Sequence, residues 1–471
     1  MRHFPNNLGL IRRGIDRRAG LGPLIDIGLN TFTGHGVTLS RHDFMHHLLI
    51  AGATGTGKSM LLEHLCRRLV VQRSLSVRNG GLIVFDPHWI FAGGLIDFMA
   101  LANLNVPLLV IDFEGDDVVA FDPLRDADPS RLDVLGGWIA HLWERQGNSR
   151  APRLSAGIVR VARAIVEANA TLAEAHDLLD PVGGDRRVRQ GLIDRIADAS
   201  LASQWRADLK ASDRYFELLM GSTQRAFAPL IDTLPKRWAC GLGASLRFEE
   251  ALAEGWVVLV SAGRTSGHLA QATLMLDALW HAAVNRPQGS PPMHLVIDEF
   301  AQLLSPAVVP LLPEARKFGL SVTLATQSPT DLSAMGPAGR QVLNAILHSA
   351  RTKIAFQLAG DGARALASHL SVEPGEVQQL PRRHAVVSSM SHRQPQRFIT
   401  DDVPDFRTPP ARRGAYLSNR MSRWRGQFVF SRQEARQRYL ARRAQLAPQA
   451  AAVVAADEPD EFEVIIPRSQ S

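Results

Sequence analysis

A chain of 471 residues, 45% of them hydrophobic, is long and apolar enough to bury one large α/β core with a smaller second unit, which excludes a disordered class. Its formal charge of +7 favours a polyanionic partner, and its two cysteines, Cys66 and Cys240, exclude a disulfide framework. No run approaches the roughly 18 apolar residues of a membrane span, and the start Met1-Arg2-His3-Phe4-Pro5 lacks the apolar segment of a secretory signal, so a cytosolic location is expected.

Residues 1–40 scatter glycine turns (Gly9, Gly14, Gly20, Gly34, Gly36) among short apolar pieces and predict a small β-rich or irregular lead-in. From 41 to 125 the pattern is strand, turn, helix. The apolar run His47–Ala51 precedes Gly52-Ala53-Thr54-Gly55-Thr56-Gly57-Lys58-Ser59, and Met60–Leu65 follows with helical character. The octapeptide has the spacing G-x-x-x-x-G-K-[ST], in which backbone N–H groups and a helix N-terminus converge on the β- and γ-phosphates of a nucleoside triphosphate. Lys58 adds a point charge there, and the Ser59 hydroxyl is placed to reach Mg2+. Two further apolar runs, Gly81–Phe85 and Val106–Ile111, lead into Asp86 and Asp112 and read as buried parallel strands.

Residues 126–237 change to long amphipathic stretches, such as Ala156–Val166, and predict an all-α insertion. Strand-like runs return within 238–400, at Gly255–Ser261, His294–Asp298, Leu320–Thr326 and Lys353–Gln357. The expected fold is therefore α/β, a doubly wound, mostly parallel sheet interrupted by a helical domain, with its site at the carboxyl ends of the strands. Leu295–Ile297 leads directly into Asp298 and Glu299; Asp298 is the candidate to hold Mg2+ through water and Glu299 the candidate to polarise the attacking water. Gln327, at the end of Leu320–Thr326, is placed to sense the γ-phosphate, and Arg316 to enter a neighbouring subunit's site as an arginine finger.

From Arg412 to Arg443 there are ten arginines against the single acid Glu434, with Trp424, Phe428, Phe430 and Tyr439 interleaved. Within this 401–444 segment a surface for nucleic acid or an acidic membrane competes with a plain solvated helix face. Residues 445–471 turn alanine-rich and then acidic, and a disordered tail is expected.

Four motifs in order, Gly52–Ser59, Ile297-Asp298-Glu299-Phe300, Glu314–Leu320 and Ala325-Thr326-Gln327-Ser328-Pro329, resemble the HerA–FtsK superfamily of hexameric DNA-pumping ATPases. Within it the chain is most similar to the conjugative coupling proteins that feed DNA to type IV secretion channels, over about Gly36 to Arg383. The resemblance implies a RecA-like core, a homo-hexamer with ATP and Mg2+ between subunits, Arg316 acting in trans, and DNA gripped with little sequence specificity. It also implies a membrane channel or relaxosome partner, which the chain would meet from the cytoplasm, since the membrane-spanning start of typical coupling proteins is missing. Where the family often has Asp-Pro-His-Gly-Asp, this chain reads Asp86-Pro87-His88-Trp89-Ile90. The expected function is an ATP-driven DNA translocase in plasmid or mobile-element transfer; a HerA-like helicase or translocase of repair or phage biology, and a secretion or assembly ATPase acting on protein, carry the same motifs.

Overall fold

A computed structural model describes residues 24–125, 132, 136, 137, 139, 140, 152–210, 212–261, 266–287, 289–303, 312–334 and 336–447. Of the expected tail 445–471, residues 445 and 446 end the helix Arg432–Leu446 and residues from 448 onward, like the lead-in before residue 24, lie outside the described residues. Two compact units emerge, one from Met1–Asp117 with Arg247–Val429, the other from Val118–Leu246 with Phe430–Ser471.

The first unit is built on an eleven-stranded sheet. Its strands are β1 (Ile25–Asn30), β2 (Gly36–Leu39), β3 (Leu48–Ala51), β4 (Gly81–Phe85), β5 (Leu108–Asp112), then, after a short strand β6 (Asp117–Val119) outside the sheet, β7 (Val257–Ser261), β8 (Met293–Ile297), β9 (Leu320–Thr326), β10 (Thr352–Ala355), β11 (His384–Ser388) and β12 (Gln396–Thr400). The spatial order is β2-β1-β12-β11-β10-β3-β9-β8-β4-β7-β5. Every pairing from β10 to β5 is parallel. Those from β2 to β10 are antiparallel.

The parallel part consists of continuous apolar runs because both faces are covered: every residue of β3, β4, β7, β8 and β9 is buried. The helices Lys58–Leu75 and Ala92–Leu101 lie against this sheet, and Leu61, Leu62, Leu65, Leu95 and Met99 share one core with Ile50, Val84 and Leu259. Because β9 lies between β3 and β8, the segments that leave these three strands open side by side on one edge. That edge receives the glycine loop, the two acids and Gln327.

The second unit is helical, with Pro152–Glu167, Arg186–Arg195, Ala199–Lys210, Asp213–Ile231 and Leu234–Gly241 joined by Arg432–Leu446. Trp205 and Phe227 are fully enclosed in it. Helix Arg432–Leu446 packs on Arg186–Arg195 and Leu234–Gly241. Arg443 grips Asp177 with two hydrogen bonds of 2.6 and 3.0 Å, and Arg442 reaches Glu174 at 3.3 Å. Both acids are completely buried, so these arginines neutralise charge that would otherwise be stranded.

Candidate nucleotide site

The glycine loop leaves β3 and turns back into helix Lys58–Leu75. Gly55 and Gly57 have φ of +80° and +124°, which a side chain at Cβ resists. At Gly57 a Cβ would also lie 3.0 Å from the Phe356 ring and 3.3 Å from Arg383 Cα. The loop is fixed from several sides. Gly52 N–H donates to Thr326 O (3.2 Å), Ala53 N–H to Gln357 O (2.9 Å), and Arg383 N–H to Thr56 O (2.7 Å). The Thr56 hydroxyl donates to Ala53 O at 2.7 Å.

Lys58, the first residue of the helix, is buried and donates to both acids, to Asp298 Oδ1 at 2.9 Å and to Glu299 Oε1 at 2.6 Å. Burial alone would lower its pKa, but the two carboxylates outweigh burial and hold it above the usual lysine value. Asp298 is shifted up, first by burial and further by Glu299 and Asp86, against the pull of Lys58. Glu299 N–H donates to Asp298 Oδ1 at 3.0 Å, and Glu299 itself has left-handed backbone, φ 45° and ψ 49°. This conformation is costly for a residue with a side chain and brings its carboxylate round beside its neighbour's.

Two carboxylates against one ammonium leave a negative charge over. Nearby, Asp86 caps the helix Ala92–Leu101 by accepting from Phe91 and Ala92 N–H with Oδ2, while its buried Oδ1 has no partner. Among the described residues no group of three or more His, Cys, Asp or Glu is arranged as a metal cage. A carboxylate-rich edge suits Mg2+, which is commonly held by one or two protein oxygens together with phosphates and water.

Gln327 follows β9, and its Oε1 accepts from the Thr54 hydroxyl at 3.0 Å, so it touches the glycine loop. Arg316 is elsewhere. It sits on a single 3₁₀ turn, Ala315–Phe318, just before β9. The seven residues of β9 separate it from the carboxyl edge by about 20 Å. Its exposed guanidinium donates to His46 Nε2 at 2.6 Å. Arg316 therefore cannot serve the phosphate loop of its own chain.

Sequence reasoning missed His46, Phe356 and Arg383. The strand-like run Lys353–Gln357 was legible, but its pairing with β3, which puts Phe356 and Gln357 against the glycine loop, carried no local sign.

The arginine-rich segment is divided between the units, and most of its charge is already engaged. In the first unit Arg412 donates to Leu101 O, Arg413 pairs with Asp97, Arg420 reaches Asn105, Arg423 pairs with Glu254 and Arg425 with Asp117. Trp424 is buried against Trp256 and Phe428. In the second unit Arg442 and Arg443 hold the buried acids described above. The aromatics of this segment and several of its arginines are thus engaged within their own units, while Arg412, Arg423, Arg425, Arg436 and Arg438 remain exposed.

A parallel sheet with a glycine loop after β3, acids after β8 and a polar amide after the strand between them defines a RecA-like P-loop NTPase. Residues 25–123 match the model of the helicase HerA central domain, and residues 248–396 that of the type IV secretion-system coupling protein DNA-binding domain. These two matches support the HerA–FtsK superfamily and, within it, the TrwB-like, coupling-protein branch. Among solved structures, the unbound bacterial conjugative coupling protein TrwB superposes with a TM-score of 0.54 at 16% identity, over 86% of this chain and 94% of that one. TrwB bound to the non-hydrolysable ATP analogue ADPNP gives 0.59 at 16% identity over the same shares. VirB4 of Thermoanaerobacter pseudethanolicus gives 0.54 at 15% identity, over 83% of this chain and 99% of that one. TrwB has also been solved with ADP and Mg2+. No curated protein matches the chain. Among the described residues no helix is long and apolar enough to cross a membrane.

Proposed function

We propose that the chain is an ATP-hydrolysing motor that moves plasmid or mobile-element DNA in conjugative transfer, working as a homo-hexamer on the cytoplasmic side of a membrane partner. The observation that carries this reading is Lys58 bound between Asp298 and Glu299 on the edge where the glycine loop opens. ATP takes its phosphates from the backbone N–H groups of Gly52–Ser59 and competes for the Lys58 ammonium. Once Lys58 turns to the phosphates, Asp298 and Glu299 are freed together. Ser59 and Asp298 are the residues that would hold Mg2+, which when bound supplies charge neutralisation at the β- and γ-phosphates. Glu299 accepts a hydrogen bond from the attacking water, and Gln327, already on Thr54, moves with the loop and orients that water. Arg316, remote from its own loop, stabilises transition-state charge in the adjacent subunit's site.

DNA enters the reading through the coupling-protein DNA-binding model on residues 248–396. The test is ATP turnover with no DNA, single-stranded DNA and duplex DNA across a salt series. A motor on DNA is stimulated at low salt and loses that stimulation as salt rises, because phosphate contacts release counterions. Stimulation by a protein substrate and none by either DNA form would replace this reading with a protein-secretion ATPase. Stimulation by DNA without any association with a relaxase or channel would favour the HerA-like helicase.

A further inference from the structure

Arg316 is the one proposed site group held at the amino ends of the strands, and its hold is specific. The His46 ring donates from Nδ1 to His42 O at 2.8 Å, because a carbonyl can only accept. Nε2 is thereby left as a lone-pair acceptor, and the Arg316 Nη1–H fills it at 2.6 Å. His42 buttresses the imidazole, ring centroids 4.2 Å apart. The backbone of the same residue is also engaged, since Arg351 N–H donates to His46 O at 2.9 Å. The next residue, His47, accepts from Val322 N–H of β9 with Nδ1 at 3.1 Å, and β3 begins immediately after it. One short segment thus ties the turn bearing Arg316 to the strand that ends in the phosphate loop.

We propose that His46 is a positioning residue for Arg316: its neutral imidazole aims the guanidinium outward for the neighbouring subunit, and taking up a proton releases it. This rests on the reading of Arg316 as a finger acting in trans. A protonated ring has no lone pair at Nε2 and carries a positive charge against the guanidinium, so the hydrogen bond is replaced by repulsion. Among the described residues, His46 meets the Arg316 guanidinium, the His42 ring and the Arg351 backbone N–H, with His47 next in the chain. Glu314 and Lys317, flanking Arg316, pair with each other at 2.9 Å and leave Arg316 to His46. Burial holds the His47 ring down to about 4, which keeps its Nδ1 available as the acceptor for Val322 N–H.

The test is steady-state ATP turnover of the full chain, with DNA present, from about pH 8 down to about pH 5.5. It compares wild type with His46→Ala, His46→Gln and Arg316→Ala. His46→Ala should lose about 10-fold or more in kcat with little change in KM, since a misaimed finger affects the transition state and not ground-state binding. His46→Gln, whose amide oxygen can accept the same N–H without titrating, should recover most of that loss and show a flatter acid limb than wild type. Arg316→Ala sets the floor and should abolish the wild-type acid limb that His46 controls. If Arg316→Ala turns over like wild type, the finger itself fails. If Arg316→Ala is inactive while both His46 variants follow the wild-type profile at every pH, the finger stands and the positioning role is overturned. A His46→Gln protein that is as impaired as His46→Ala at every pH, while melting at the wild-type temperature, also overturns it.

Discussion

Two buried lysines sit near opposite edges of the same sheet. Lys58, at the carboxyl edge, lies between two carboxylates and is held above the ordinary lysine pKa. Lys353, the second residue of β10 near the amino edge, is almost as buried, donates to Ala350 O, and is pushed down to about 8, by burial first and then by Arg351. The carboxyl edge is built to keep a lysine charged and the amino edge is not, so the cation a phosphate needs is held ready at the first. The same contrast applies to Arg316, whose partner at the amino edge is an imidazole, with no carboxylate paired to it among the described residues. A guanidinium already neutralised by its own chain would have little to give a neighbour.

The largest effect tests the carboxyl edge. Lys58→Ala should reduce ATP turnover by about 10³-fold or more and weaken nucleotide binding, because the loop loses its only side-chain cation while Asp298 and Glu299 repel the phosphates. Turnover and fluorescent-nucleotide titration check this, and activity within a few-fold of wild type would end the assignment. Next, Arg316→Ala should lower turnover by about 10³-fold with binding nearly spared. Mixing it with Lys58→Ala should restore part of the activity, since a mixed ring pairs an intact loop with an intact finger. Co-assembled mixtures that stay inactive would show that the two edges do not meet across subunits. Glu299→Gln should cut turnover by about 10²-fold or more while ATP remains bound, as the amide keeps the shape and loses the basic oxygen. Retained hydrolysis would leave Glu299 only as Lys58's partner.

The smallest effect sharpens the contrast between the lysines. Because the folded state lowers the Lys353 pKa, the unfolded chain binds more protons between about pH 8 and about 10.5, and folding stability from this group rises with pH across that window. Lys353→Met should therefore stabilise the protein at pH 7, by about 1 kcal/mol after allowing for partial solvation, and the gain should shrink as pH rises above about 8. Thermal melts of both proteins at pH 7 and pH 9.5 decide it; an equal gain at both would mean that charge is not the cause.

Much of the fold was legible because parallel strands covered on both faces must be apolar throughout, as at Leu48–Ala51 and Met293–Ile297. The antiparallel half was not. His384–Ser388 and Gln396–Thr400 are mixed in polarity, and β12 finds its partner in β1, with Gly28 opposite Thr400. Pairing over such a separation leaves no trace in local pattern. At the site, the glycine loop and the two acids announce themselves by spacing. What their spacing cannot convey is that Lys58 closes on both acids 240 and 241 positions away, or that His46 receives Arg316. The arginine-rich run misleads for a related reason: composition counts charges, and only the fold reveals that Asp97, Glu254, Asp117, Glu174 and Asp177 answer them.

The last described helix, Arg432–Leu446, has a consequence for synthesis. Glu174 and Asp177 are fully buried beneath arginines made more than 260 positions later. On the ribosome, the helical unit stays unfinished while nearly 200 residues of sheet are translated between its two pieces, with two carboxylates awaiting their cations. N-terminal segments usually mature first as they emerge. Here the order is inverted for one unit, and the emergence of helix Arg432–Leu446 is the event that seals it.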